Sequence, residues 1–121
     1  MKKFLFTLLF FIPLLGVSQS ALMEENTDFP DGLHVVEFNA SFNANNKVEW
    51  LPKLVDCKTE RVDITSDSRW ASEYKIVVVP TLVVLNNNEE VKRFQANIMM
   101  TMEATKKEVQ DAIDEIIMEA F

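Results

Sequence analysis

Residues 73–95 have the sequence EYKIVVVPTLVVLNNNEEVKRFQ, which carries the strongest structural signal in the chain. Two strand-like runs, 81–85 and 89–95, flank three consecutive asparagines at 86–88. Asparagine tolerates the left-handed backbone conformation that a tight turn between antiparallel strands requires. The stretch therefore predicts a β-hairpin whose first strand follows directly after Pro80.

Helices are predicted on both sides of this hairpin. On its carboxyl side, Thr105 and Glu108 form a capping-box pattern, and apolar residues then recur at helical spacing up to position 117. On its amino side, residues 67–74 predict a short helix with Trp70, Ala71 and Tyr74 on its inner face. These two helices are placed to cover a sheet.

Further upstream, the pattern predicts two more strands with a helix between them. Residues 34–38 and 61–64 are short β-branched runs that favour strands. Residues from about 45 to 56 predict a helix kinked at Pro52, with one apolar stripe formed by Val48, Leu51 and Val55. The element order is β-α-β-α-β-β-α, which indicates an α/β sandwich.

The first residues have the three-part order of a secretory signal peptide. A basic start at 1–3 precedes a nearly continuous apolar run at 4–15, and small or polar residues follow at 16–21. The apolar run is short for spanning the ~30 Å hydrocarbon layer of a bilayer. We expect residues 1–20 to be a signal peptide, cleaved near Ser18 or Ser20. The protein is then exported to the periplasm or the extracellular medium, and it contacts a membrane only if this segment is retained.

The rest of the chain is predicted to be one domain with a short lead-in. Residues 21–33 are polar and acidic and contain Pro30 and Gly32, so we expect them to be irregular. Residues 34–121 form the domain. Loss of the signal peptide leaves 10 basic residues against 19 acidic ones.

The composition excludes several classes of function. The formal net charge of −7 disfavours nucleic acid as a partner, because phosphate binding requires clustered Lys and Arg. The 2 glycines form no phosphate-binding motif. A single histidine, His34, and a single cysteine, Cys57, cannot form a Cys/His zinc site or an intramolecular disulfide. We expect no metal and no cofactor, and a structural role for His34.

Three segments resemble the thioredoxin family. Residues 35–42, VVEFNASF, look like that family's strand leading into its Trp-Cys-x-x-Cys site, and residues 73–81, EYKIVVVPT, resemble its Tyr-x-Ile-x-x-x-Pro-Thr segment. The third is the hairpin, residues 82–94. The resemblance implies a thioredoxin-like β-α-β-α-β-β-α sandwich with a central mixed sheet. It also implies a cis peptide bond between Val79 and Pro80, which is uncommon in folded proteins.

The sequence departs from the family at the redox site. If Phe42 is aligned with the family's tryptophan, Asn43 and Asn46 stand at the two cysteine positions. If the alignment follows the kink proline instead, Ala44 and Lys47 stand there. Neither register supplies a thiol, and the family's chemistry needs a stabilised thiolate and a second, resolving thiol. We therefore expect no dithiol oxidoreductase activity.

Glu37 and Arg61 stand where the family has a buried acid and its basic partner. In the family the acid relays a proton to the resolving cysteine, a role that lapses without cysteines. We expect a structural ion pair between Glu37 and Arg61, or a Glu37 exposed at the sheet edge. Removing one partner of a buried pair costs roughly 3–5 kcal/mol.

The resemblance also implies a groove that binds an extended peptide of a partner protein. Backbone groups beside the cis-proline would pair with the peptide in a strand-like way. Residues 96–100 would form one edge of the groove, where Met99 and Met100 either bind the peptide or pack, with Met102, under the last helix. The predicted groove residues are Phe42, Asn43, Asn45, Asn46, Val79, Pro80 and Ala96.

Cys57 supports an alternative function. It is either a half-buried small apolar residue or a reactive thiol that works with a thiol of a partner protein. Lys58 lowers and Asp56 raises the expected thiol pKa. In a third interpretation, the chain is a purely structural subunit.

Overall fold

The computed structural model describes residues 28–120. Within this range, four strands form one mixed sheet, and they are β1 (Leu33–Asn39), β2 (Lys58–Asp63), β3 (Thr81–Asn86) and β4 (Glu89–Gln95). The order across the sheet is β2-β1-β3-β4, with β1 parallel to β2 and antiparallel to β3. The helices are α1 (Arg69–Glu73), α2 (Lys106–Glu119) and the 3-10 helices Ser41–Asn46 and Leu51–Lys53. This arrangement confirms an α/β architecture with a central mixed sheet.

The central strand β1 is buried on both faces because its side chains alternate between two hydrophobic clusters. Val36 and Phe38 pack on the side of α1, with Phe29 and Tyr74. The neighbouring Val35 packs on the other side, where its cluster includes Leu51, Leu82, Val109 and Ile113. The sheet is therefore covered by helical segments on both faces.

The predicted hairpin and its asparagine turn are confirmed. β3 and β4 pair antiparallel, and Asn87 and Asn88 have φ angles of 53° and 67°. Left-handed conformations at both central residues are typical of the turn that matches the twist of a hairpin.

The same asparagines hold the segment before β1, a role that the sequence did not reveal. Asn87 Oδ1 accepts from the Gly32 N–H at 2.7 Å, and Asn88 Oδ1 accepts from the Phe29 N–H at 3.1 Å. Asn88 Nδ2 also donates to the Phe29 carbonyl. Phe29 is buried among the residues of the α1-side cluster. The core therefore includes a residue of the predicted lead-in.

The predicted kinked helix over residues 45–56 is wrong. Two separate 3-10 helices occupy this region, and Val55 is exposed. The Val48 N–H donates to Glu37 Oε2 at 2.9 Å, and the Val48 carbonyl accepts from Arg61 Nη2. These tertiary partners take the backbone groups that a continuous helix would pair internally.

The bounds of β2, α1 and α2 differ less from their predicted bounds. β2 begins at Lys58 and ends at Asp63, whereas the prediction was 61–64. It is an edge strand with no fully buried residue, so its sequence has little apolar pattern. α1 is shorter than predicted, and α2 has the predicted capping box, with the Glu108 N–H donating to Thr105 Oγ1 at 3.2 Å.

The predicted signal peptide, residues 1–20, lies outside the described residues, as do residues 21–27 of the lead-in. Over residues 28–120, no helix has the length and apolar character needed to cross a membrane.

Candidate functional site

Three loops meet at the end of the sheet where β1 and β4 end and β3 begins. The pairing register sets this convergence, because Phe38 lies opposite Thr81 and Thr81 lies opposite Gln95. The loops are the 3-10 helix after β1, residues 75–80 before β3, and residues 96–102 after β4. All residues predicted to form the groove belong to these loops.

The Val79–Pro80 peptide bond is cis. The three carbonyls around it have donors within the protein. The Val78 carbonyl accepts from Thr81 Oγ1 at 2.7 Å, the Val79 carbonyl from Asn43 Nδ2 at 3.4 Å, and the Pro80 carbonyl from the Ala96 N–H at 3.1 Å. Of the three, the Val79 carbonyl has the longest of these contacts.

Asn43 connects the three loops. Its side chain is buried, and the two hydrogens of Nδ2 serve Asn39 Oδ1 and the Met100 carbonyl, each at 3.1 Å. The Val79 carbonyl, at 3.4 Å, shares one of these hydrogens. Its Oδ1 accepts from Asn46 Nδ2 at 2.9 Å. A single amide thus joins the loops after β1, before β3 and after β4, and holds them in a fixed relative position.

Next to Asn43 the loops enclose an open apolar groove of about 290 Å³. Three side chains at this groove are largely in solvent, with exposed fractions of 73% for Phe42, 78% for Val77 and 95% for Ile98. Its other walls include Ile64, Ile76, Val79 and Met100. An exposed cluster of large apolar residues on a small protein is typical of an interaction surface.

The loop that presents Ile98 and Met99 is held by its own hydrogen bonds. Asn97 Oδ1 accepts from the Met99 N–H at 2.9 Å and from the Thr101 N–H at 3.1 Å. The Asn97 N–H in turn donates to the Thr101 carbonyl at 3.0 Å. The exposure of Ile98 and Met99 is therefore a property of an ordered turn.

Glu37 and Arg61 form an ion pair behind the 3-10 helices. Arg61 Nε donates to Glu37 Oε1 at 2.9 Å, and the buried Glu37 also accepts from the Val48 N–H. Burial raises the pKa of Glu37, although the hydrogen bonds from Val48 and Arg61 oppose the shift. A cavity of about 340 Å³ lies beside the pair, between the ends of β1 and β2. The pair supports the backbone of the segment around Val48.

Cys57 lies far from the groove along the sheet. It precedes β2, whose first residue pairs beside His34 at the start of β1, so it lies at the opposite end of the sheet. Burial raises the pKa of the Cys57 thiol to about 11, with further contributions from Asp56 and Glu60. Lys58, which was expected to lower the pKa of this thiol, is not among the groups that shift it. A thiol with this pKa is almost entirely protonated at neutral pH and is a poor nucleophile.

Solved structures of thioredoxins match this chain. A mutant thioredoxin from Halobacterium salinarum superposes with a TM-score of 0.57 at 21% identity, covering 70% of this chain and 74% of that one. The thioredoxin of Fasciola hepatica gives 0.52 at 26%, covering 71% and 82%. That of Schistosoma mansoni gives 0.57 at 22%, covering 73% and 80%.

The fold is thioredoxin-like. No protein-family model matches the sequence. No curated protein matches it either. Structural similarity at this level of identity describes the fold, and function has to be argued from the site itself.

On this thioredoxin-like scaffold, the predicted groove residues separate into different environments. Phe42 and Val79 line the apolar groove. Asn43 and Pro80 are buried, and the Ala96 N–H is used internally. Asn45 and Asn46 line another depression, with Thr101 and Met102. Neither of these two asparagines lines the apolar groove.

Several groove residues were missed or misjudged from the sequence. Ile64, Ile76 and Val77 line the groove and were not predicted. The apolar run at 76–79 gave no signal for exposure, because a short continuous apolar run is typical of a buried segment. Met102 packs against the hydrophobic cluster that contains Val109 and Ile113 of α2, as expected if the methionines lie under the last helix. Met99 and Met100 are exposed instead.

His34 is buried in the core, and its Nδ1 lies 3.1 Å from Glu60 Oε1. Across residues 28–120, no group of His, Cys, Asp or Glu side chains is arranged to hold a metal ion.

Proposed function

We propose that this chain is an exported thioredoxin-like protein without a redox dithiol, and that it binds an extended apolar segment of a partner protein. The observation that carries the proposal is the apolar groove, where Phe42, Val77 and Ile98 are exposed around the loop that contains the cis-proline. The loops that present these exposed apolar side chains are already ordered by hydrogen bonds. A partner can therefore bind them without a further loss of loop conformational entropy.

The absence of redox chemistry follows from the residues beside the cis-proline. Asn43 and Asn46 correspond to the family's cysteines in the register that aligns Phe42 with the tryptophan. That register is supported because Asn43 contacts the Val79 carbonyl and Asn46 contacts Asn43. An amide forms no thiolate and no mixed disulfide. The one cysteine, Cys57, has a raised pKa and lies at the other end of the sheet.

Binding is expected to depend on side chains. The carbonyls of Val78, Val79 and Pro80 already accept hydrogen bonds from donors within the protein, so strand-like pairing beside the cis-proline adds less than it would to carbonyls without partners. Apolar contact contributes roughly 25 cal/mol per Å² of surface removed from water. A partner segment therefore needs large apolar side chains that enter the groove.

The proposed export depends on the N-terminal segment. The basic start, apolar run and small residues of 1–20 support cleavage by a signal peptidase and release into the periplasm or the medium. The intact mass of protein recovered from those compartments tests this. A mass lacking the residues up to Ser18 or Ser20 supports it, and recovery of the full-length chain in a membrane fraction contradicts it.

The groove is tested with an array of synthetic peptides of defined sequence. Wild type is compared with Val77→Ser, Ile98→Ser and a control, Met118→Ser, whose side chain is 74% exposed on α2. We expect peptides with several large apolar residues to bind wild type and the Met118 variant, and to bind the groove variants at least about 10-fold more weakly. Equal binding by all four proteins contradicts the proposal.

The thiol alternative is tested in parallel. Insulin reduction with an external reductant is expected to proceed at the uncatalysed rate, and Cys57→Ser is expected to bind peptides as wild type does. Catalysed reduction that Cys57→Ser abolishes overturns the proposal in favour of a thiol enzyme.

A further inference from the structure

We infer that the groove selects apolar segments flanked by lysine or arginine, an inference that rests on the peptide-binding function proposed above. The groove itself is uncharged, since none of the residues that line it carries a formal charge. Any discrimination by charge must therefore come from its rim.

Two carboxylates lie on this rim, that is, next to residues that line the groove. Asp63 precedes the groove residue Ile64, and its Oδ2 accepts from Ser41 Oγ, next to Phe42, at 2.6 Å. Glu103 Oε2 accepts at 2.8 Å from Nδ2 of Asn97, which also lines the groove. An apolar segment lying in the groove therefore has one carboxylate near Ile64 and another near Asn97.

Asp63 is held in its ionised form. Ser41 and Thr65 both donate hydrogen bonds to its carboxylate, and these bonds lower the pKa of Asp63 below its ordinary value. Its charge therefore persists throughout the neutral and mildly acidic range.

The arginine next to the loop before β3 is paired with a carboxylate. Arg93 is paired with Glu90 through contacts of 2.8 Å from both Nε and Nη2, and its other donors bind the Tyr74 and Lys75 carbonyls. Lys75 itself adjoins the groove residue Ile76.

Lys47 and Arg61 line the neighbouring cavity together with Asp63, and Arg61 is paired with Glu37. The two carboxylates next to the groove are thus accompanied by Lys75 and, on the Asp63 side, by Lys47, on a chain whose formal net charge is −7.

Charge complementarity of this kind favours basic partners in two ways. It accelerates encounter and penalises like-charged sequences, and both effects weaken with salt because the Debye length falls from about 10 Å at 0.1 M to about 3 Å at 1 M. The preference is therefore expected to depend on salt, whereas apolar contact in the groove persists.

The probes are two fluorescent peptides with the same core, Leu-Val-Phe-Val-Leu, one flanked on each side by two lysines and the other by two glutamates. Binding is followed by fluorescence anisotropy. We expect the lysine peptide to bind wild type at least about 10-fold more tightly at low salt, and no more than about 2-fold more tightly at 0.5 M salt.

The variants Asp63→Asn and Glu103→Gln locate the effect. Each removes one negative charge, as does the control Glu119→Gln at the far end of α2, so all three alter the net charge equally. We expect the preference for lysine to fall about 3-fold or more in both rim variants and to stay unchanged in the control. Asp63 and Glu103 both accept hydrogen bonds within the fold, and asparagine and glutamine keep an acceptor oxygen for them. Agreement between the two variants therefore separates the loss of charge from a local disturbance.

The outcomes separate the two proposals. Equal binding of both peptides, with binding still lost in Ile98→Ser, overturns the charge selection and leaves the apolar groove intact. An equal loss of preference in all three charge variants also overturns it, because attraction by net charge then suffices. If neither peptide binds wild type at any salt concentration, both proposals fail.

Discussion

Asn43 shows how one polar side chain organises the candidate site. Its amide contacts the carbonyls of Val79 and Met100, in the loops before β3 and after β4. A buried donor or acceptor that loses its partner costs roughly 1–3 kcal/mol. Asn43→Ala is therefore expected to lower the free energy of unfolding by about 2–3 kcal/mol, measured by urea denaturation.

The neighbouring Asn45 provides the control, because it is exposed and no hydrogen bond of its side chain contributes to the loop junction. Asn45→Ala is expected to change stability by less than about 0.5 kcal/mol. If both variants are equally stable, the loops are held by other contacts and Asn43 has no special role.

Glu37 provides a test of electrostatics at the same scale. Because its pKa is raised in the folded protein, the folded state holds this proton more tightly than the unfolded state does. The stability that Glu37 contributes through this proton is fully present below its ordinary pKa of 4.5. It is lost as the pH rises through the higher pKa that Glu37 has in the folded protein.

We expect the stability of wild type relative to Glu37→Gln to fall as the pH increases above about 4.5, measured by denaturation over a pH series. Taking the difference removes the other titrating groups, which both proteins share. A difference that instead grows with pH shows that attraction by Arg61 outweighs burial.

At the scale of elements, the hairpin turn between β3 and β4 also binds the segment before β1. Turn preference alone predicts that Asn88→Gly stabilises the protein, since Asn-Gly is a favoured sequence for this turn. The hydrogen bonds from Asn88 to Phe29 predict the opposite. We expect a net loss of about 1–2 kcal/mol in urea denaturation, because two bonds to a buried segment are removed.

Asn88→Asp refines this test. Aspartate tolerates the positive φ and keeps an acceptor for the Phe29 N–H, but it cannot donate to the Phe29 carbonyl. Its stability should lie between those of wild type and the glycine variant. A glycine variant at least as stable as wild type shows that the turn acts only locally.

At the scale of the whole molecule, the folded unit includes residues before β1. Phe29 is 9% exposed and contacts the rings of His34, Trp70 and Tyr74. Phe29→Ala is therefore expected to cost about 3–4 kcal/mol, as other buried phenylalanines do. Differential scanning calorimetry measures the change as a lower Tm.

Phe42→Ala is the matched control, since the same side chain is removed from a largely exposed position at the groove. We expect it to change stability by less than about 0.5 kcal/mol while weakening peptide binding. A similar loss of stability in both variants means that Phe42 belongs to the core, and that the groove is not a free surface.

The sequence was sufficient for the elements that depend on nearby residues. The capping box of α2 joins residues three positions apart, and the hairpin over residues 81–95 pairs two strands that are adjacent in the chain and joined by a tight turn. It was insufficient around Val48, where Glu37 and Arg61 take the backbone hydrogen bonds of the predicted helix. It was also insufficient at β2, because an exposed edge strand has little apolar alternation.

By itself, the sequence determined the order of strands and most helices, the turn at Asn87–Asn88 and the presence of one cysteine. The tertiary structure decided that Asn43 is buried, that Phe29 joins the core, and that Ile98 stays in solvent. The physical reason is the distance along the chain between partners. A local pattern reports contacts within a few residues, whereas Asn43 and Met100, or Phe29 and Asn88, meet only after the sheet has assembled.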